Sequence, residues 1–304
     1  MAFFGNMMHR FYYGKAGQAD YTVEQLPANR TTLFFEMLRV RFTGIIGVNA
    51  LYLLFCLPAI IWTALTLGAA YTISADSGTV DVVQSGLLFN YLLILIPFMG
   101  LAGVGATGEM YVLRNWARDE HSFVMSDFGD AVKGNWKMGL AVGLINGASL
   151  FLAAVCYSFY GQMMTESPVW VIPQMISVMI CGVWWMMNMI MFPMLVTYDM
   201  KLRHVIKNSA IMVIARLPWS VLFLVGTVGV PAVIAVFVPY GYIAAIIVYL
   251  VLGFGLTGFI YASYANSCFD KYLNPRIEGA KVNQGLRDPE ADDLSDVEDD
   301  NPLV

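Results

Sequence analysis

Six long apolar stretches constrain this chain more than any other feature of its sequence. They cover residues 43–73, 86–111, 138–160, 169–197, 217–238 and 241–263. Each is long enough to cross a bilayer, because a helix needs about 20 apolar residues to span a hydrocarbon core of roughly 30 Å. Only 13% of the residues are charged, whereas a soluble domain carries about 25%. The sequence therefore predicts an all-α, polytopic helical bundle of about six transmembrane helices in a lipid bilayer.

The basic residues predict the orientation of this bundle. All 17 Lys and Arg residues lie in four segments: before the first stretch, between the second and third, between the fourth and fifth, and after the sixth. Because basic residues concentrate on the cytoplasmic side of membrane proteins, we expect both termini in the cytoplasm. The last two stretches are separated only by Pro239 and Tyr240, which favours an antiparallel hairpin.

Three parts of the chain are expected from these patterns. Residues 1–42 form a cytoplasmic N-terminal segment with an interfacial amphipathic helix, residues 43–265 form the six-helix domain, and residues 266–304 form an acidic, disordered tail. Eight acidic residues lie between Asp288 and Asp300, so the net charge of −5 reflects mainly the tail. Nothing resembles a basic and aromatic nucleic-acid footprint, and we expect no nucleic-acid partner.

Three amphipathic patterns flank the apolar stretches on the predicted cytoplasmic side. They cover residues 29–42, 126–139 and 198–212, with Ser126 as a candidate cap of the second. Such patterns are typical of helices that lie at the headgroup level. The alternative is that they are the polar ends of neighbouring membrane helices.

The apolar cores contain amides but almost no charge. The amides are Asn49, Asn90, Asn146, Gln174 and Asn188. We expect them to hydrogen-bond between helices, as intramembrane amides do. The alternative is that they line a path for a polar substrate. Glu109 lies at the cytoplasmic end of the second stretch, where we expect it to pair with Arg114 or with another helix. Gly100, Gly103 and Thr107 share one helical face, which favours the close approach of a second helix.

No arrangement of residues points to catalysis, a cofactor or a metal. The histidines His9, His121 and His204 all fall in predicted cytoplasmic segments, and no hydrolase or metalloprotease motif occurs. The fourth stretch is rich in methionine, and thioethers bind Cu(I). Its methionines are spread around the helix, however, which favours packing. We therefore expect a protein that is not an enzyme.

Several short motifs carry a resemblance to a known family. Asn49 and Leu57-Pro58 in the first stretch are followed by GATGEMYVLRNWARDEHSFVMSDFGDAVKGNW at 105–136 and by FPMLVTYDMKLRHVIKNSAIM at 192–212. This order resembles the YesL-like family of bacterial integral membrane proteins, a domain of unknown function, and the resemblance covers roughly residues 34–265. The chain departs from the family pattern by a long stretch between Pro58 and Gly105.

The resemblance implies a location and a role. Members look like accessory proteins of the bacterial cell membrane that accompany carbohydrate uptake, so the implied partner is an ABC-type sugar transporter permease or a sensor protein. The alternative is a self-sufficient transporter or channel for a small solute. The candidate partner contacts lie in the two basic loops and are Arg114, Arg118, Asp119, Glu120, Asp127, Phe128, Lys133, Asp199 and Lys207.

Overall fold

The computed structural model describes residues 26–74 and 80–287, with side chains for all of these except residues 73, 74 and 80–85. Two π-helical turns interrupt the last two spans: the first π-turn is Val225–Gly229 and the second π-turn is Tyr249–Gly253. Short 3₁₀ turns cover Pro168–Trp170 and Asn274–Arg276. The α-helices are α1 Arg30–Ser74, α2 Val80–Trp116, α3 Val124–Met163, α4 Val171–Leu195, α5 Leu202–Ala215, α6 Leu217–Leu224, α7 Val230–Phe237, α8 Gly241–Val248 and α9 Phe254–Tyr272.

The predicted all-α architecture is confirmed. No strand occurs in the described ranges, and six helical segments have the length and composition to cross a membrane. They are Arg30–Thr72, Gly86–Trp116, Val124–Met163, Pro168–Leu195, Leu217–Phe237 and Gly241–Arg276. The last two are called span five and span six below. The chain is therefore a multi-pass membrane protein that uses the bilayer as its environment.

Helices α2 and α3 make the closest contact in the bundle, through glycines on both sides. A methyl group on Gly103 would overlap with the backbone of Gly139 and Gly143, and one on Gly147 would lie 2.7 Å from the Cα of Ile96. Without side chains at these positions the two backbones touch directly, which maximises van der Waals contact where no hydrophobic effect acts between helices. The small-residue face of α2 thus packs against a face of small residues on α3.

The core has two centres on either side of this pair. The methionine-rich C-terminal half of α4 fills one, where Met189, Met191 and Met194 are fully buried beside Phe269 of α9. In the other, Trp116 packs with residues of α1 and α9. The unbranched thioether side chains adapt to irregular gaps between helices, so these methionines act as packing residues.

The helices extend further than the sequence predicts. Residues 29–42 begin α1 without a break, because Phe34 stacks on Phe259 with ring centroids 5.0 Å apart and holds the helix start against the bundle. Residues 126–139 likewise belong to the first turns of α3, whose N-cap residue is Phe123 and not Ser126. Asp127, in the first turn, accepts from the Phe123 N–H at 2.9 Å. Only the third pattern contains a separate helix, α5.

The predicted tail boundary at residue 266 is also too early. Helix α9 continues to Tyr272 because Cys268 and Phe269 are buried, and the Arg287 N–H donates to the Pro27 carbonyl at 3.1 Å. Residues 266–287 are therefore structured. The predictions for residues 1–25, 75–79 and 288–304, including the acidic tail, lie outside the described residues.

Proline and asparagine account for the two π-turns. Pro231 has no N–H, so the carbonyl of Thr227, four residues earlier, loses its helical donor; the Tyr249 hydroxyl donates to that carbonyl at 2.7 Å. In the second π-turn the Asn49 amide donates to the Leu250 carbonyl at 3.0 Å and accepts from the Gly255 N–H at 2.9 Å. These three backbone groups are thus satisfied inside the bundle, as an apolar environment requires.

Candidate functional site

Arginines gather at one end of the bundle. This end, called the basic end, carries Arg30, Arg114, Arg118 and Arg216, and the charge pattern predicts that it faces the cytoplasm. Arg114 is buried there, and its guanidinium donates to the Val196 carbonyl at 3.0 Å and to the Thr197 hydroxyl at 3.3 Å. Arg114 therefore satisfies carbonyl oxygens at the C-terminal end of α4, where the helix dipole also favours a cation.

Arg30 connects the beginning of α1 to the segment that follows α9 at this end of the bundle. Arg30 forms an ion pair with Asp270 and donates to the Gln284 carbonyl at 2.9 Å. Asp270 also accepts from Asn274 at 2.8 Å, and Asn274 in turn accepts from the Tyr198 hydroxyl at 2.5 Å. Burial raises the pKa of Tyr198 to about 12, so this hydroxyl stays a donor across the physiological pH range. The segment after α9 is therefore fastened to both α1 and the α4–α5 loop.

The loop between α2 and α3 is held by its own polar contacts. Arg118 donates to the Asn266 side chain at 3.0 Å, and Gln284 donates to Glu120. Asp119 adopts a left-handed backbone with φ of 58°, and burial raises the pKa of its carboxyl, with Arg41 acting in the opposite direction. Asp127 accepts from the Ser122 hydroxyl at 2.6 Å. These bonds fix the loop in one conformation.

This loop and the first turn of α3 present two large apolar side chains outside the packed core. Phe123 is 66% exposed and Met125 is 73% exposed, and the Phe123 ring stands edge-on to His121 with centroids 4.5 Å apart. We call residues 119–125 the apolar loop. An exposed apolar cluster beside fixed polar groups is typical of a surface that binds another molecule.

The predicted contact residues divide by exposure. Lys133, Asp199 and Lys207 are exposed, as is Asp119 apart from its partly buried carboxyl. Lys133 pairs with Asp130 one turn away at 3.3 Å. Arg114 and Phe128 are buried inside the fold, and Arg118, Glu120 and Asp127 are partly buried and hydrogen-bonded within the chain. Sequence reasoning did not identify Phe123 and Met125, although two large apolar residues in a polar loop are a readable signal.

Glu109 differs from the sequence prediction. It is 3% exposed inside the bundle, its Oε1 atom has no hydrogen-bond partner, and no ion pair with Arg114 forms among the described residues. Five residues turn an α-helix by about 140°, so the two side chains leave α2 in different directions. Glu109 lies close to Gly258 of α9, whose added Cβ would be 3.2 Å from Oε1.

Four of the five intramembrane amides take part in hydrogen bonds between helices. Asn49 bridges α1 to the second π-turn as described above. Asn146 of α3 donates to Asn188 of α4 at 2.8 Å and accepts from Trp184 at 2.8 Å. Gln174 donates to the Tyr157 carbonyl at 3.0 Å and joins the outer ends of α3 and α4. Asn90 is exposed on α2, and Asn188 also bonds within its own helix, to the Trp184 carbonyl.

A series of hydroxyl contacts joins span five to span six, and sequence reasoning did not identify it. Ser220 lies 2.8 Å from the Tyr264 hydroxyl, and Thr227 lies 2.7 Å from the Tyr261 hydroxyl. Ser220 and Thr227 are seven residues apart, which places them on one helical face. That spacing, matched by two tyrosines three residues apart, is the signal that could have revealed the contacts.

The described residues contain no group of three or more His, Cys, Asp or Glu side chains able to hold a metal ion. The four cysteines are free thiols in apolar or partly buried positions. No family model, no curated protein and no solved structure matches this chain. The resemblance to the YesL-like family stays a prediction that rests on the motifs given above.

Proposed function

We propose that this protein is a non-enzymatic accessory component of a bacterial cell membrane that binds a protein partner at its basic end. The observation that carries the proposal is the apolar loop, in which Phe123 and Met125 are exposed on a backbone fixed by internal hydrogen bonds. A binding surface that is already ordered loses little conformational entropy on association. Following the family resemblance, the proposed partner is an ABC-type sugar transporter permease or a sensor protein of carbohydrate uptake.

Exposed charged residues on α3, the α4–α5 loop and α5 support a specific partner. Lys133 and Asp130 are exposed on the first turns of α3, and Asp199 and Lys207 are exposed on the α4–α5 loop and α5. Arg114 of the basic end bonds to the start of that loop. An apolar centre with a charged rim is the usual composition of a protein–protein interface. The rim residues set specificity and association rate, while the apolar pair contributes most of the affinity.

The test is co-purification from the protein's own membranes in a mild detergent, with mass spectrometry of the proteins recovered. The variant Phe123→Ser with Met125→Ser removes the apolar centre without touching an internal hydrogen bond of a side chain. We expect at least a tenfold loss of partner, since interface residues of this kind contribute about 2 kcal/mol each. Ile214→Ser is the matched control, because Ile214 is also 66% exposed but lies on α5.

Two results would reject the proposal. One is recovery of the wild-type protein without any stoichiometric partner, and the other is equal recovery of the partner by the double variant and the wild type. A triple change of Arg118, Asp119 and Glu120 is a poorer test. Arg118 and Glu120 hold Asn266 and Gln284, so their loss would disturb the fold as well as the surface.

A second candidate function is the self-sufficient transport of a small solute, and Glu109 is the observation that favours it. A carboxyl group inside a membrane bundle is a common mark of an ion or proton path, and Glu109 has an oxygen without a partner. Purified protein in liposomes should then take up solute, and Glu109→Gln should lower the rate at least tenfold while preserving shape. Glu166→Gln, at an exposed position in the loop between α3 and the 3₁₀ turn, is the control, and no uptake by the wild type removes this candidate.

A further inference from the structure

A groove of about 650 Å³ opens on the side of the bundle between the start of α1 and spans five and six. Its walls are mostly apolar and include Phe35, Trp219, Leu222 and Ile260. Phe35, Trp219 and Leu222 are each more than half exposed, so the groove faces outward, where the bilayer lies, and not the bundle centre. Its volume falls within the range of about 300–1,000 Å³ that is usual for small-molecule sites.

Charge is confined to one end of this groove. Arg30 and Arg216 line it at the basic end, and Gly226 of the first π-turn lines it ten residues further along span five, a distance of about 15 Å along the helix axis. Arg30 is neutralised by Asp270. Arg216 forms no ion pair in the part of the chain that the structure describes, which leaves an uncompensated positive charge at the mouth.

The donors of Arg216 are only partly used. Its Nη1 atom donates to the Ser267 hydroxyl at 2.9 Å and to the Cys268 sulfur at 3.5 Å, and its Nε and Nη2 atoms have no protein acceptor among the described residues. The groove therefore contains a fixed guanidinium with free donors.

We infer that this groove binds an anionic phospholipid, with the headgroup phosphate at Arg216 and one acyl chain along the apolar walls toward Gly226. Basic pockets between transmembrane helices at the cytoplasmic face suit anionic headgroups, where each basic residue contributes attraction to the phosphate. The guanidinium presents a planar set of donors that fits phosphate oxygens. A water-soluble anion would not use the apolar walls, and a zwitterionic lipid would gain less from the unpaired charge.

The site is separate from the proposed protein interface. No residue of the apolar loop lines the groove, so a lipid and a partner protein can be bound or lost independently. The groove instead touches the first π-turn through Gly226 and Thr227. A bound acyl chain would therefore pack against the irregular part of span five, whose carbonyl at Thr227 depends on Tyr249.

Native mass spectrometry of the detergent-purified full chain tests the inference, with phosphatidylglycerol and phosphatidylcholine of the same acyl chains as probes. The wild type should retain phosphatidylglycerol preferentially, and Arg216→Gln should reduce that preference about fivefold, the effect of one basic residue near a phosphate. Arg203→Gln is the matched control, because Arg203 is exposed on α5 and does not line the groove.

A second pair of variants tests the acyl-chain position. A Cβ on Gly226 meets no atom within 4 Å, so a side chain at this position has open space at its base. Gly226→Leu should therefore place its branched end in the groove and lower retention of both lipids at least fivefold. Gly182→Leu is its control, since a Cβ on Gly182 also meets no atom within 4 Å and Gly182 lies on α4. Equal retention of the two lipids by the wild type, an equal effect of Arg216→Gln and Arg203→Gln, or unchanged retention in Gly226→Leu would overturn the inference.

Discussion

The α2–α3 contact makes the fold sensitive to a single methyl group at Gly143. A Cβ at this position lies 2.9 Å from the Cα of Gly100 and 3.0 Å from the Gly100 carbonyl oxygen, and closer still to the carbonyl oxygen of Met99. Non-bonded heavy atoms prefer about 3.5–4.0 Å, so the shortfall is about half to one ångström at Gly100 and more than about one ångström at the Met99 carbonyl oxygen. Backbone atoms of a helix cannot move aside as a side chain can, and the two helices must separate.

That separation sets the size of the effect of Gly143→Ala. Overpacking by one methylene or methyl group typically lowers stability by about 1–3 kcal/mol. Here the displacement also loosens the other contacts between α2 and α3, at Gly103 and Gly147. We therefore expect a loss of about 2 kcal/mol, which is measured as a fall of about 5 °C in the thermal midpoint in detergent. Gly182→Ala, with no atom within 4 Å of the added Cβ, should leave the midpoint unchanged or slightly higher.

The double variant Gly103→Ala with Gly143→Ala checks the mechanism. A Cβ on Gly103 lies 2.8 Å from the Cα of Gly143, so both methyl groups separate the same two helices. The second substitution should cost less than the first, because neighbouring changes that share a displacement are not additive. A midpoint of Gly143→Ala equal to those of wild type and Gly182→Ala would refute the close contact, and fully additive losses would refute the shared displacement.

Three further predictions concern single hydrogen-bonding groups. Asn49→Leu leaves the second π-turn unsatisfied and should lower stability in the same thermal assay by about 1–3 kcal/mol, whereas Asn90→Leu at an exposed position should change little. Tyr198→Phe removes the bond to Asn274 and should speed proteolysis of residues 273–287, with a stability loss of about 1 kcal/mol. Because burial raises the pKa of Asp119, its ionised form opposes folding at neutral pH; Asp119→Asn should raise the thermal midpoint at neutral pH, and the gain should fade as the pH falls toward about 4.

The helical spans could be predicted from the sequence because each depends only on the apolar residues within its own segment. A segment of about 20 apolar residues must be helical in a bilayer, where each backbone polar group needs a partner within the segment. The small-residue face at Gly100 and Gly103 was readable for the same reason. The helix boundaries were less accurate: the starts of α1 and α3 and the end of α9 depend on packing, such as the stacking of Phe34 on Phe259.

The partners of the polar residues could not be predicted from their positions in the sequence. Arg114 and Glu109 looked like partners from their proximity in sequence, yet Arg114 bonds to the end of α4 and Glu109 lies alone in the interior. Which helix ends lie beside α2 is a property of the assembled bundle. The contact surface differs in this respect, because Phe123 and Met125 stand in a polar segment of the sequence, and the structure adds that their side chains are exposed.

The sequence by itself determined the number of spans, the all-α class and the predicted orientation, because hydropathy and charge act residue by residue on the choice between water and lipid. Only the tertiary structure decided the partner of each helix face, the π-turns held by Asn49 and Tyr249, and the groove that ends at Arg216. These features join residues up to about 200 positions apart, such as Asn49 and Leu250. Their energies come from packing and from satisfying freed backbone groups, which no local window of sequence contains.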